Sequence, residues 1–188
     1  MSKHFGLFFS ILVLFFSPCC YATLNEALQD GQHILMMRHA DAPGVGDPEG
    51  YRLGDCTTQR NLGALGQRQA KRIGQWLSDN GVDSAKVLSS PWCRCIDTAK
   101  LLEKGSVQTV AALGSFFDRI DLAQKQTRDL QDLIRTTRSQ DPYTPLILVT
   151  HQVNIQAFTG QSLQSGDMLL VRVNHQGQYQ SHQLLSGP

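Results

Sequence analysis

The chain has 188 residues, 41% of them hydrophobic and 18% charged, with a formal net charge of +1. That length suits a single domain with a core of its own. Near-neutrality without a block of Lys or Arg excludes the basic stripe of a nucleic-acid binder, yet leaves room for a local cluster of arginines around a small anion.

In chain order, Lys3 and His4 give a weakly positive start, and Phe5 to Phe16 is almost wholly apolar. Ser17-Pro18-Cys19-Cys20-Tyr21-Ala22 follows, with small residues at Cys20 and Ala22. This pattern predicts a secretory signal peptide over residues 1–22, cleaved after Ala22. The apolar run is short for a membrane span. An uncleaved anchor and a lipid attached at Cys19 or Cys20 are the alternatives. The rest, 23–188, reads as one domain, periplasmic or secreted, with no stable membrane span after cleavage.

Thr23 to Gln32 reads as a short helical lead-in, and His33 to Arg38 as a buried strand. Pro43 to Asp55 holds four glycines and a second proline, the composition of a long loop. Gly66 to Asn80 predicts a helix with Ala70, Ile73 and Leu77 on one face, stopped by Asn80-Gly81. Lys86 to Ser89 is a short strand, and Pro91 to Glu103 a helix with Cys95, Ala99 and Leu102 inward. Val107 to Leu113 reads as a third strand and Asp121 to Ser139 as a long helix. Leu146 to Thr150 is the clearest buried strand, followed by a short helix over Asn154 to Thr159. Met168 to Val173 and Tyr179 to Leu185 alternate around Asn174-His175-Gln176-Gly177, a terminal hairpin. Strands alternating with helices predict an α/β fold, a three-layer α/β/α sandwich with a mostly parallel central sheet. Ligands in such sheets bind beyond the C-terminal strand ends.

Once the signal is removed, Cys56, Cys93 and Cys95 remain. Residues two apart on a helix do not face each other, so Cys93 and Cys95 should not bridge. Either Cys56 pairs with one of them, or all three stay reduced.

Three segments fall at strand ends: Arg38-His39-Ala40-Asp41, Ser89-Ser90-Pro91-Trp92-Cys93-Arg94, and Thr150-His151. They bring two His and two Arg to one edge of the sheet. Guanidinium groups present planar forks of donors to phosphate oxygens. A neutral imidazole is a competent nucleophile, and a second can donate to oxygens that gain charge in the transition state. Any one of these residues alone would be structural or solvated; the conjunction carries the reading.

With these residues the sequence resembles the histidine phosphatase superfamily, also called the phosphoglycerate mutase-like fold. The resemblance rests on Arg38-His39-Ala40 after the first strand, Ser89-Ser90-Pro91 with Arg94 and Thr98-Ala99, and His151 after a hydrophobic strand. Leu62, Gly66 and Ala70 fit its helix entry. It spans roughly Ile34 to Phe158.

The resemblance implies a phosphomonoesterase with a phosphohistidine intermediate on His39. Arg38, Arg94 and His151 would hold the phosphoryl oxygens of a small phosphorylated substrate, without metal or other cofactor. Asp118 would be the proton donor, with Asp41 its competitor or a substrate-binding group. Arg60, in the loop before the second helix, could hold a further anionic group of the substrate. Two other classes compete. One is an inactive envelope protein that binds a phosphorylated ligand through the same residues. The other is a metal hydrolase using His39, Asp41 and His151, which lacks a further ligand at suitable spacing. A mutase fits poorly, because the long insert of those enzymes is missing. Substrate identity and oligomeric state are not readable.

Overall fold

A computed structural model describes residues 23–185 and Gly187; the expected signal peptide lies outside them. Eleven elements follow in order: α1 (Leu24–Leu28), β1 (His33–Arg38), α2 (Ala64–Asp79), β2 (Lys86–Ser89), α3 (Cys93–Leu101), β3 (Val107–Thr109), α4 (Ala123–Gln140), β4 (Leu146–Thr150), α5 (Gln152–Thr159), β5 (Met168–Val173) and β6 (Tyr179–Leu185). The six strands form one sheet in the order β3-β2-β4-β1-β5-β6. β1 to β4 pair in parallel, and β5 runs against both β1 and β6. The sheet is therefore mostly parallel.

Strand side chains alternate between faces, and β1 and β4 are apolar on both. Ile34, Met36, Leu146 and Leu148 pack on one side with Leu130 and Ile134 of α4 and Ile155 of α5. Leu35, Met37, Ile147 and Val149 pack on the other with Ile73 and Leu77 of α2 and Ala99 of α3. A sheet covered on both faces is the expected three-layer sandwich. Among the described residues, no helix is long and apolar enough to cross a membrane.

Several expected boundaries shift; α2 and α5 each begin two residues early, at Ala64 and Gln152. The third strand ends at Thr109, and Ala111–Leu113 forms a 3-10 turn instead. This is an edge strand, and turning there buries Leu113 while its carbonyl accepts from Thr150 Oγ1 at 2.7 Å. α3 starts at Cys93, two residues beyond Pro91, with Trp92 as its extended N-cap. Asp121 lies in a 3-10 turn before α4 rather than in the helix itself.

Gly66 and Gly177 are among the glycines required by close approach. A Cβ at Gly66 of α2 would lie 1.9 Å from the Asp41 carbonyl oxygen, so α2 packs directly on the backbone that follows β1. Gly177, in the hairpin turn at φ +74, would place a Cβ 2.1 Å from the Gln131 carbonyl of α4.

Candidate active site

Arg38 ends β1, His151 follows β4, and Arg94 stands in the first turn of α3 just after β2. All three strand ends lie on the same edge because β1, β2 and β4 are parallel neighbours. The His39 N–H donates to the Thr150 carbonyl at 3.0 Å, which sets the two histidines side by side. Their ring centroids are 5.5 Å apart, and Trp92 stands edge-on to His151 at 5.3 Å. Thr98 of α3 ties the segment down, accepting from the Ala40 N–H at 3.0 Å and donating to the Arg94 carbonyl at 2.7 Å.

His39 is buried, and its Nδ1 lies 2.8 Å from the Ala40 carbonyl oxygen. A carbonyl only accepts, so Nδ1 carries the ring proton and Nε2 keeps its lone pair. Burial holds the imidazole pKa down to about 3, and the charges of Arg94, Arg38 and Arg60 push the same way against the Ala40 bond. His151 is held well below its ordinary value, first by burial, then by His39 and the arginines. The Ser90 hydroxyl accepts from the Trp92 N–H at 3.3 Å and lies 2.7 Å from His151 Nε2.

The arginines are anchored by backbone and by one carboxylate. Arg38 Nη1 donates to the Leu163 carbonyl at 2.8 Å. Arg60 donates through Nε to the Gly46 carbonyl at 2.7 Å and through Nη1 to that of Ala42. Arg94 Nη1 donates to both oxygens of Asp47, at 2.8 and 3.1 Å. Arg38 Nε and Arg94 Nε are buried without an acceptor in the protein. Buried donors lacking a partner are costly.

A cavity of about 300 Å³ opens here, its lining including Arg38, His39, Arg60, Arg94, Asp118 and His151. Six of the seven expected site residues thus come together. Asp118 stands exposed at the mouth. Asp41 does not line the cavity: its N–H donates to Gln69 Oε1 at 2.9 Å and its carbonyl packs on Gly66. Arg60 is in place, but two of its donor nitrogens are committed to loop carbonyls, which leaves less of it for a further anionic group. Among the described residues, no three His, Cys, Asp or Glu side chains are grouped to hold a metal ion.

Sequence reasoning missed Asp47. Its carboxylate takes Arg94, the Trp92 indole N–H at 3.1 Å and the Arg60 N–H at 3.0 Å. Both side chains of the Arg94–Asp47 pair are only 4% exposed. In a Gly- and Pro-rich loop an Asp reads as a turn residue, and no local pattern marks it otherwise. The open question over cysteine pairing resolves to Cys56–Cys93, with Cys95 free and buried. The bridge ties the loop that carries Arg60 to the first residue of α3, next to Arg94.

The model of the histidine phosphatase superfamily (branch 1) matches residues 34–116. That segment holds Arg38, His39, Arg60 and Arg94, whereas Asp118 and His151 lie beyond it. No curated protein sequence matches the chain. Several solved structures share the fold. The protein histidine phosphatase SixA, complexed with tungstate, is 16% identical with a TM-score of 0.54, over 82% of this chain and 95% of that one. A mycobacterial glucosyl-3-phosphoglycerate phosphatase is 15% identical with a TM-score of 0.59, over 81% and 96%. A phosphoserine phosphatase from Entamoeba histolytica, complexed with phosphoserine, is 15% identical with a TM-score of 0.56, over 82% and 95%. At these identities the likeness is one of fold.

Proposed function

We propose that this chain, whose residues 34–116 carry the histidine phosphatase superfamily pattern, is a metal-independent phosphomonoester hydrolase acting through a phosphohistidine on His39. The observation that carries the reading is the His39 ring. Its Nδ1 proton is committed to the Ala40 carbonyl, so a neutral Nε2 with its lone pair stands among three arginines. Such a nitrogen needs no general base before it attacks phosphorus.

In the first step the Nε2–P bond forms as the P–O bond to the alcohol breaks. Arg38, Arg94 and His151 donate to the phosphoryl oxygens, and Asp118 gives its proton to the leaving oxygen. In the second step Asp118 takes a proton from water, the water oxygen bonds to phosphorus, and the N–P bond breaks. Inorganic phosphate leaves and His39 is again neutral. The guanidinium groups supply the positive charge that a metal would otherwise bring. The chain is exported with its signal cleaved after Ala22; the Cys56–Cys93 bridge supports this, since disulfides persist in oxidising compartments.

A second reading, ligand binding without turnover, draws on the exposure of Asp118 at the mouth of the cavity. One experiment separates the two: hydrolysis of an activated aryl phosphate by the mature protein, with and without chelator, beside His39→Ala. Turnover that resists chelator and is lost in the variant, together with a phosphoryl group added to wild type quenched during turnover, is expected. Folded wild type that binds phosphate and releases no alcohol would establish the binding protein instead.

A further inference from the structure

The cavity is unevenly built. Its charged floor is buried, and exposed apolar side chains share its mouth with Asp118. Val45 at the rim is 88% exposed and Phe117 50% exposed, two large apolar residues that a protein rarely leaves together beside a pocket without use. They lie next to one another: a Cβ on Gly46 would stand 3.9 Å from Phe117 Cε1, so the ring rests against the backbone adjoining Val45. Val153 adds a third apolar side chain to the lining, with Ser115, Gln152 and Gln156 as neutral polar ones.

Charge sharpens the point. Among the described residues, the cations that line the cavity are Arg38, Arg60 and Arg94, and the carboxylates are Asp47 and Asp118. With both imidazoles neutral, the lining carries one net positive charge. A phosphomonoester dianion already exceeds it. A second anionic group on the substrate would meet Asp118 at the mouth and no cation there. Arg60, the one residue expected to take such a group, spends its Nε and Nη1 on the carbonyls of Gly46 and Ala42.

We propose that the site takes phosphomonoesters whose alcohol part is apolar and uncharged, a small alkyl or aryl phosphate, with Phe117 and Val45 as the residues that select it. The inference rests on the phosphatase reading above. At about 300 Å³ the cavity is at the small end of ligand pockets and suits a compact group.

The test compares kcat/KM for 2-phenylethyl phosphate, glycerol 3-phosphate and 3-phosphoglycerate. All three are esters of alkyl alcohols, so differences in leaving-group activation are small beside differences in binding. A preference of roughly tenfold or more for the phenylethyl ester is expected, in line with what a few apolar contacts discriminate. Phe117→Ser and Val45→Ser should each lower that ratio several-fold, and circular dichroism should show both folded. Equal or better turnover of glycerol 3-phosphate or 3-phosphoglycerate by wild type would overturn the proposal, as would a ratio untouched by Phe117→Ser. Folded wild type that hydrolyses none of the three, nor an aryl phosphate, overturns the phosphatase reading. Calorimetric affinities for the same esters would then decide the selectivity of the rim, with the same order expected.

Discussion

The neutral state of His39 depends on groups distant in sequence. Arg60 and Arg94 act on it from other elements, and burial adds the largest push toward the neutral ring. The same push has a cost for stability that can be measured. Unfolded, the imidazole takes a proton near its ordinary 6.5; folded, it does so only near 3. As pH falls from 6.5 toward 3, the unfolded chain binds a proton that the native protein does not. Stability is therefore at its full value above 6.5 and declines across that window, by roughly 1.4 kcal/mol per pH unit for one such group. Denaturant melts between pH 7 and 4 should show a shallower acid-side decline in His39→Ala than in wild type; parallel curves would rule the explanation out. Over the same range the proposed nucleophile stays unprotonated, so an acid limb in kcat/KM above pH 4 would belong to another group. Asp47 shapes the site differently, by sharing the charge of Arg94. Asp47→Asn keeps the shape and removes that competing negative charge, so inorganic phosphate should inhibit several-fold more tightly. Asp47→Ala strips partners from Arg94, Trp92 and Arg60 together, and should cost about 3–5 kcal/mol in a denaturant melt. Unchanged phosphate inhibition in Asp47→Asn would mean that the carboxylate does not compete with the phosphoryl group for Arg94.

At the scale of elements, the loop between β1 and α2 is the part of the site least like the rest. It has no strand or long helix to fix it, and it contributes Asp47 and Arg60. Backbone and side-chain hydrogen bonds hold it, and Cys56–Cys93 ties it across 37 residues to α3. Closing a chain segment of that size stabilises by roughly 3–4 kcal/mol through the unfolded state. Reduction, or Cys56→Ser with Cys93→Ser, should lower the urea midpoint accordingly. It should also raise KM more than it lowers kcat, because Arg60 loses its tether while β1 and β4 still hold the histidines. Equal midpoints with and without reductant would show that the bridge adds nothing to stability. This contrast also explains what could be read from sequence. β1 and β4 are apolar on both faces, so their burial, their parallel pairing and the placing of His39 and His151 at their ends all follow from short local runs. Asp47 belongs to a loop whose course is set by contacts with Trp92 and Arg94, 45 and 47 positions away. No local pattern encodes such contacts. Val110 to Leu113 read as strand because they are apolar, but at the sheet edge the chain turns, which buries Leu113 and brings its carbonyl to the Thr150 hydroxyl of β4.

For the whole molecule, a single sheet with both faces covered makes one rigid edge, and the chemistry of the site is the chemistry of that edge. The first of the described residues is Thr23. Its side chain caps α1 by accepting from the Glu26 N–H, and its own N–H donates to Glu26 Oε2 at 2.7 Å. Cleavage after Ala22 would turn that N–H into the charged α-amino group of the mature chain. The contact with Glu26 would become an ion pair, which offsets the unfavourable meeting of a cation with a helix N-terminus. The thiols provide an independent readout of where the domain folds. Cys95 is buried, and burial raises its thiol to about 12, so it should resist alkylation in the native state. Protein expressed from the full-length sequence in an exporting cell should therefore give an intact mass that begins at Thr23 and lacks two hydrogens for the Cys56–Cys93 bridge. One thiol should become reactive only on denaturation. Recovery of the full-length, fully reduced chain from the cytoplasm would remove both export and an oxidising compartment from the account, and would leave the geometry of His39 and its arginines to stand without them.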